Sequence, residues 1–243
     1  MMCVRRFVLD GIDNFRDLGG FITTDGKITR YNVFYRSESL FGLKDRERNI
    51  IVSNGVHNCI DVHGPIDASA TAHPFQNDPR CKYYCFPVLS DIIVHSGSKN
   101  DFFQEKDWIN VNTRMMEKEK DWVRNVINAC AKTEGGTVIH CRTGKSRTSL
   151  ICMIIMLLAK VPKVDIIAEF STTDVYMGEK YKNLLNNSFH GEGFYRSPAF
   201  VMEETINYLI NKYCSIEEYL DSCKVSVDSM KAICQKYISD ESW

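Results

Sequence analysis

The sequence predicts an α/β fold in which a central mixed β-sheet is wrapped by helices, with an N-terminal β-hairpin and a helical C-terminal part. Three observations predict it. Short apolar runs bounded by turn residues alternate with helical-period segments, an Asp-Gly pair lies near the N-terminus, and helical patterns alone follow Pro162. The chain has 243 residues, 44% of them hydrophobic, and no linker-like segment. We therefore expect one domain over residues 1–243.

The first elements surround Asp25-Gly26, a pair that supplies the positive φ values of a tight turn. The flanking segments 21–23 and 33–35 are predicted as two antiparallel edge strands. Further along, the pattern predicts a charged amphipathic helix over 44–54, strands over 57–62 and 82–87, and irregular chain over 63–80.

The second half is mainly helical apart from one short buried strand, predicted over 136–140. Ser215 and Ser226 are placed to cap two of the C-terminal helices. Helices are predicted over 107–132, 148–158, from Pro162 through Phe170, and over 199–213, 215–222 and 226–239.

Between that strand and the following helix the chain reads HCRTGKSRT, which places Cys141 six residues ahead of Arg147. A loop of this length can curl around an anion, so that backbone N–H groups and the helix N-terminus point inward. Gly144 allows the backbone to approach the ligand, and the Arg147 guanidinium can bind two phosphate oxygens. The predicted phosphate-binding residues are Arg142, Thr143, Gly144, Lys145 and Ser146.

The same field stabilises Cys141 as the thiolate, the competent nucleophile. Attack on phosphorus would expel an alcohol or phenol and form a cysteinyl-phosphate. Thr148 can donate a hydrogen bond to the departing sulfur, while His140 is expected to orient the loop rather than titrate. A Walker-type nucleotide loop is excluded, because Ile139 occupies the position of its first glycine.

Fast ester cleavage also needs a carboxylic acid that protonates the leaving oxygen. Asp91 is our choice, because it follows the predicted strand over 82–87 and opens a stretch rich in serine and glycine. A solvated loop aspartate is the plain alternative. The rival acids are Asp17, Asp61, Asp101 and Asp174.

Composition narrows the class of protein further. The formal net charge of −1 gives no general attraction to nucleic acid. The N-terminal decapeptide lacks the apolar core of a signal peptide, and the longest apolar run, residues 150–159, is too short to span a bilayer. We expect a cytoplasmic protein without stable membrane insertion. Its ten cysteines show no disulfide framework, and no metal or cofactor is expected. The spacing of Cys81 and Cys85 is only a weak zinc signal.

Several segments together resemble the bacterial tyrosine-protein phosphatase family. They are Asn14-Phe-Arg-Asp-Leu-Gly-Gly20, Tyr35-Arg-Ser37, the loop of His140–Thr148, Val161-Pro162 and the segment over 213–220. The resemblance spans nearly the whole chain and implies a cysteine-phosphatase-like fold, a metal-free cysteine-dependent phosphatase activity and substrates that include phosphotyrosine. Asp91 matches the family's aspartate after that strand. Ser146 departs from the family, which often has aspartate there.

The resemblance leaves the substrate open. The basic trio Arg142, Lys145 and Arg147 also resembles the loop of phosphoinositide phosphatases, so a phosphorylated protein or a phosphoinositide is expected as substrate. Arg16 and Asp17 are interpreted either as a salt bridge that supports the loop or as a brace for the N-terminal hairpin. Two other classes stay open, a catalytically weak phosphate-recognition module and a sulfur-transfer or arsenate-reducing thiol enzyme. The oligomeric state is not predicted.

Overall fold

The structure is a computed structural model that describes residues 4–64, 72–88, 103–186 and 192–242. The predicted acid Asp91 and its rival Asp101 lie outside these residues. The strands of the described part are β1 (Arg16–Asp17), β2 (Lys27–Thr29), β3 (Phe34–Ser37), β4 (Val56–Asp61), β5 (Lys82–Cys85), β6 (Gly136–His140) and β7 (Ile238–Ser242).

Five strands form the main sheet in the order β1-β3-β6-β4-β5. The four strands β3, β6, β4 and β5 run parallel, and β1 is antiparallel to β3. All five residues of β6 are buried between its two neighbours. Because parallel strands end at one edge of the sheet, the residues that follow β3, β4 and β6 meet there. The candidate loop begins at that edge.

The helices cover both faces of this sheet in chain order. They are α1 (Asp45–Ser53), α2 (Asp107–Lys118), α3 (Lys120–Lys132), α4 (Ser146–Leu158), α5 (Lys163–Leu185), α6 (Glu192–Tyr195), α7 (Ala199–Tyr213), α8 (Ile216–Ser222) and α9 (Val227–Tyr237). Every residue of α4 except Leu157 is buried. A helix that is apolar on all sides lies inside the core, and α4 packs against β6, α2, α3, α5 and α8.

These elements confirm the predicted fold class, the strand that precedes the loop and the helix that follows it. The serine caps are also confirmed: Ser215 Oγ accepts from the Glu218 N–H at 3.1 Å, and Ser226 Oγ from the Ser229 N–H at 3.1 Å. Among the described residues, no helix is both long and apolar enough to cross a membrane.

Two predictions about elements are wrong. The segment over 33–35 is not the second strand of a hairpin, because β3 lies inside the main sheet between β1 and β6. The turn at Asp25-Gly26 does exist, with an antiparallel bridge between Ile22 and Ile28. The helix predicted over 107–132 is two helices, since the backbone leaves the helical conformation at Glu119 (φ −111°, ψ 35°).

Candidate active site

The loop that joins β6 to α4 begins at Cys141, which is buried, and leads into a helix that starts at Ser146. Neighbouring strand ends hold it from two sides. The Val62 N–H donates to the His140 carbonyl at 2.9 Å, and the Ser39 N–H donates to the Arg142 carbonyl at 3.1 Å. The loop therefore rests on the residues that follow β3 and β4, with the first N–H groups of α4 directed toward it.

Gly144 is the tightest point of the loop. Its φ is +66°, and a Cβ atom built there would lie 2.4 Å from the Ser37 carbonyl oxygen and 2.8 Å from Asn14 Nδ2. Asn14 Nδ2 itself donates to the Thr143 carbonyl at 3.0 Å. Both the backbone conformation and the lack of space therefore require glycine at this position.

Replacing Gly144 with alanine is expected to displace the loop, because Ser37 and Asn14 crowd the new methyl group. A displacement of this size lowers turnover of an aryl phosphate by at least about 100-fold. Gly26→Ala is the matched control: its φ is +77°, yet nothing lies within 4 Å of the added Cβ. It should cost stability of about 1–2 kcal/mol without a loss of turnover. Equal turnover in the two variants would contradict the role given to Gly144.

Arg147 follows the loop in the first turn of α4. Its side chain is buried, and Nη1 donates to the Val62 carbonyl at 3.4 Å. The N–H of the same Val62 is bonded to His140, the residue before Cys141. The guanidinium thus lies at the same sheet edge as the cysteine, which brings the two ends of the predicted phosphate site together.

Two hydroxyl groups near the start of α4 differ in their surroundings. Ser146 Oγ donates to Asn112 Oδ1 at 3.2 Å, so it joins the loop to α2. Within the described residues, Thr148 Oγ1 is buried and has no hydrogen-bond partner. Burying a hydroxyl without a partner is costly, and such a group is suited to a transient partner such as a sulfur anion or a bound oxyanion.

Lys145 is buried and faces away from solvent. Its amine donates to the Phe194 carbonyl and, at 2.8 Å, to the Arg196 carbonyl, and lies 4.0 Å from the centre of the Trp108 ring. Burial holds the pKa of Lys145 well below its ordinary value. The predicted substrate cation therefore connects the loop to α6 and the residues after it in this structure. Arg142, in contrast, is exposed.

A buried network that was not predicted supports the loop from below. The Glu169 carboxylate on α5 accepts from Arg16 Nε at 2.5 Å and from Arg36 Nη1 at 2.6 Å. Arg36 Nη2 donates in turn to the Gly144 carbonyl and, at 2.6 Å, to Ser149 Oγ. Glu169 thus fixes an arginine that contacts the loop directly.

Charge balance inside this network is tight. Burial raises the pKa of Glu169, but Arg16 and Arg36 outweigh that effect and hold it below its ordinary value. Burial lowers the pKa of Arg16 to about 10, against the opposing effect of Glu169. The charges on Arg36 and Lys145 both interact with the Cys141 sulfur, and a cation near a thiol favours its thiolate.

The predicted Arg16–Asp17 salt bridge is wrong. Successive residues of β1 point to opposite faces, so Arg16 reaches Glu169 while Asp17 turns to the other side. Asp17 accepts from the Gly19 N–H at 2.6 Å and from the Asn32 N–H at 2.7 Å. It therefore braces the N-terminal segment, the second of the two roles considered. Burial, only partly offset by these bonds, raises its pKa from 3.8 to about 6.

This raised pKa gives a pH dependence with a defined sign. The folded state holds the Asp17 proton more tightly, so the wild type loses stability as the pH rises from about 3.8 to about 6. Relative to wild type, Asp17→Asn should gain up to about 3 kcal/mol of unfolding free energy between pH 3.5 and pH 7. Urea titrations at both pH values measure it. Asp121→Asn, at an exposed carboxylate, should change by less than about 1 kcal/mol; a flat Asp17→Asn difference contradicts the assignment.

His140 belongs to a buried cluster behind the loop. The Phe75 N–H donates to His73 Nδ1 at 3.2 Å, so the His73 proton lies on Nε2 and is shared with His140 Nε2 at 3.1 Å. Burial lowers the pKa of His73 to about 4 and that of His140 well below its ordinary value. Both rings are neutral near pH 7. This agrees with a positioning role for His140, whose Nδ1 has no partner among the described residues.

Comparison with known proteins decides the family. The model of the tyrosine phosphatase family matches residues 7–239. The chain belongs to this family. It is also 23% identical over 168 residues to a tyrosine-protein phosphatase of Nostoc commune, a match that covers 67% of the chain. The chain spans about half the length of this curated relative, 55% of which is aligned.

A solved structure provisionally assigned as a phosphatase, from Neisseria meningitidis, shares 16% identity with this family member. The alignment covers 64% of this chain and 92% of that one, with a TM-score of 0.36. We draw the fold from the sheet and helices described above and base no argument on this likeness.

In a tyrosine phosphatase the position of the acid decides much of the rate, and two of the described rivals are unsuited to it. Asp17 has both oxygens bonded to backbone N–H groups. Asp61 accepts from His63 Nδ1 at 2.6 Å and from the Tyr83 hydroxyl at 2.7 Å. Although burial opposes it, the His63 bond and nearby His140 hold the pKa of Asp61 well below its ordinary value. Asp61 is therefore ionised, with no proton to give.

Asp174 on α5 differs from these two. Burial raises its pKa, and its charge interacts with Lys145 of the loop. Its Oδ1 accepts from the Ser197 N–H at 2.6 Å, in the segment that Lys145 also contacts. Among the acids that the structure describes, Asp174 is the one that combines proximity to loop residues with a raised pKa.

Proposed function

We propose that the chain is a cysteine-dependent phosphomonoester hydrolase, a protein-tyrosine phosphatase that acts through a cysteinyl-phosphate. One observation carries the proposal: buried Cys141 and Arg147 are joined by a short loop whose carbonyls are held from outside by Asn14, Arg36 and Ser39. A loop with its carbonyls occupied outward leaves its N–H groups for an anion inside.

The proposed reaction has two steps. Loop N–H groups and the Arg147 guanidinium bind the phosphoryl oxygens and stabilise the charge that develops on them. The Cys141 thiolate attacks phosphorus and the ester oxygen leaves as an alcohol or phenol, protonated by Asp91 in our assignment. Water then attacks phosphorus, phosphate departs, and Thr148 donates a hydrogen bond to the sulfur as the thiolate re-forms.

Family membership and the name of the Nostoc relative support a phosphotyrosine protein as substrate. Phosphoinositide or dual-specificity activity is the finer part of the proposal and rests on the basic loop. The contacts of Lys145 bear on it, because its amine must leave the Phe194 and Arg196 carbonyls before it can bind a second phosphate. Phosphotyrosine needs no such release, so we rank it first. We propose a cytoplasmic location, where such substrates occur.

Parallel turnover of a phosphotyrosine peptide, a phosphoserine peptide, a phosphoinositide and a chromogenic aryl phosphate tests this function. We expect the aryl phosphate and the phosphotyrosine peptide to be hydrolysed fastest, with inorganic phosphate as a competitive inhibitor. Binding of phosphate without turnover of any ester would favour the phosphate-recognition module. Arsenate reduction or sulfur transfer without ester hydrolysis would contradict the phosphatase.

The acid is tested with leaving groups of different basicity. Asp91→Asn should lower turnover of an ester with a poor leaving group by about 100-fold or more, and that of an activated aryl ester much less. Asp174→Asn is the matched comparison, since Asp174 is the strongest rival among the described residues. If Asp174→Asn alone shows the dependence on leaving group, the proton comes from α5 and the Asp91 assignment is wrong.

A further inference from the structure

Behind the loop, five side chains with metal-binding atoms meet in one buried cluster. Cys59, His73 and His140 form a first group, and Asp61, His63 and His140 form a second. Within each group all ligand atoms lie within 4.8 Å of one another, and every member is buried. The proposed phosphatase chemistry uses only His140 of this set, and only to orient the loop.

We propose that Cys59, His73 and His140 form a binding site for a zinc-type thiophilic cation, separate from the phosphate loop. The first group supplies one sulfur and two imidazole nitrogens, a donor set that favours zinc over magnesium or calcium. The site does not depend on the proposed phosphatase function.

The distances suit a tetrahedral ion. Zn–N bonds of about 2.0–2.1 Å and Zn–S bonds of about 2.3 Å place neighbouring donors about 3.3–3.6 Å apart. The His73 Nε2 to His140 Nε2 distance is 3.1 Å, and the Cys59 Sγ to His73 Nε2 distance is 3.9 Å. Shifts of a few tenths of an ångström therefore bring the three atoms onto one ion.

The protons balance in a simple way. The ion replaces the proton shared by the two Nε2 atoms, and that proton moves to His73 Nδ1, which gives up its bond from the Phe75 N–H. Cys59 loses its thiol proton to solvent as the sulfur–metal bond forms. No oxidant or reductant is required.

The surroundings hold the donors in place. Tyr83 stacks on the His73 ring at 4.4 Å between centroids and donates its hydroxyl to Asp61 at 2.7 Å. The Asp61 carboxylate and His63 place a further oxygen and nitrogen within reach of His140, which a fourth coordination position requires. A bound ion would thus tie β4 and the turn at His73 to the residue that begins the loop.

The test uses protein freed of metal by chelation and then titrated with Zn²⁺ against a chromophoric chelator, or with Co²⁺ followed by absorption. We expect one equivalent to bind, a thiolate-to-cobalt charge-transfer band, and a higher thermal unfolding midpoint. Cys59→Ser should abolish the band and weaken Zn²⁺ binding by more than about 100-fold. His73→Gln should weaken Zn²⁺ binding similarly, which covers the case in which Cys59→Ser fails to fold.

Two controls separate this site from other thiols. Cys81→Ser changes a second buried cysteine near Cys59, and Cys141→Ser removes the proposed nucleophile. Both should keep the band and the affinity. A band that survives Cys59→Ser, a band lost in Cys141→Ser, or the absence of an equivalent of bound metal in wild type would overturn the proposal. Ester turnover in the same preparations reports the phosphatase independently.

Discussion

Replacing Cys141 with serine is expected to reduce turnover of an aryl phosphate by at least about 10⁴-fold, because a serine hydroxyl in this loop has no adjacent base to activate it. Phosphate binding should persist, since the loop N–H groups and Arg147 are unchanged. Steady-state kinetics give the first result, and calorimetric titration with inorganic phosphate gives the second.

Cys214→Ser controls for general thiol effects, because Cys214 is an exposed cysteine of the C-terminal part. We expect its turnover to stay within about twofold of wild type. Retained turnover in Cys141→Ser would contradict the nucleophile assignment. Loss of phosphate binding together with turnover would mean that the substitution disrupts the loop rather than removing its reactive atom.

Replacing Glu169 with glutamine is expected to destabilise the protein by about 3–5 kcal/mol, because two buried arginines lose their common counter-ion. Turnover should also fall by about tenfold to 100-fold, since Arg36 no longer holds the Gly144 carbonyl in place. Urea titration and steady-state kinetics measure the two effects. Because the Glu169 pKa is lowered by folding, its stabilisation is present above its ordinary pKa and is lost as the pH falls through the folded-state value.

Glu203→Gln is the matched control for that substitution. Glu203 pairs with Lys163 at 3.2 Å, but both side chains are substantially exposed. Its loss should cost about 0–1 kcal/mol and leave turnover unchanged. Similar stability losses in the two variants would contradict the view that the Glu169 network is distinguished by its burial.

The loop and its flanking elements could be predicted because their signals are local. The sequence His140–Thr148 contains the strand end, the turn residues and the start of α4 in nine consecutive positions. Strand pairing is not local, so nothing near β3 indicates that it lies between β1 and β6. The β2–β7 pair, which joins the N-terminal part to the end of the chain, was missed for the same reason.

Glu169 was missed because its partners are distant in sequence, 153 residues from Arg16 and 133 from Arg36. One signal was available. Glu169 shares a helical stripe with Ile166, Phe170 and Thr173, all of which are buried, and a charged residue on such a stripe requires a buried partner. Arg16 and Arg36 belong to the two N-terminal motifs that were associated with the loop, and the structure adds the carboxylate that joins them.

The most direct measurement of the proposed mechanism is to quench the wild-type protein with acid during turnover of an aryl phosphate and to locate the phosphoryl group by mass spectrometry. The account predicts one phosphoryl group per chain, bonded to sulfur on the peptide that contains Cys141 and absent from Cys141→Ser. Turnover with the phosphoryl group on another side chain would contradict it, as would burst kinetics without any labelled cysteine.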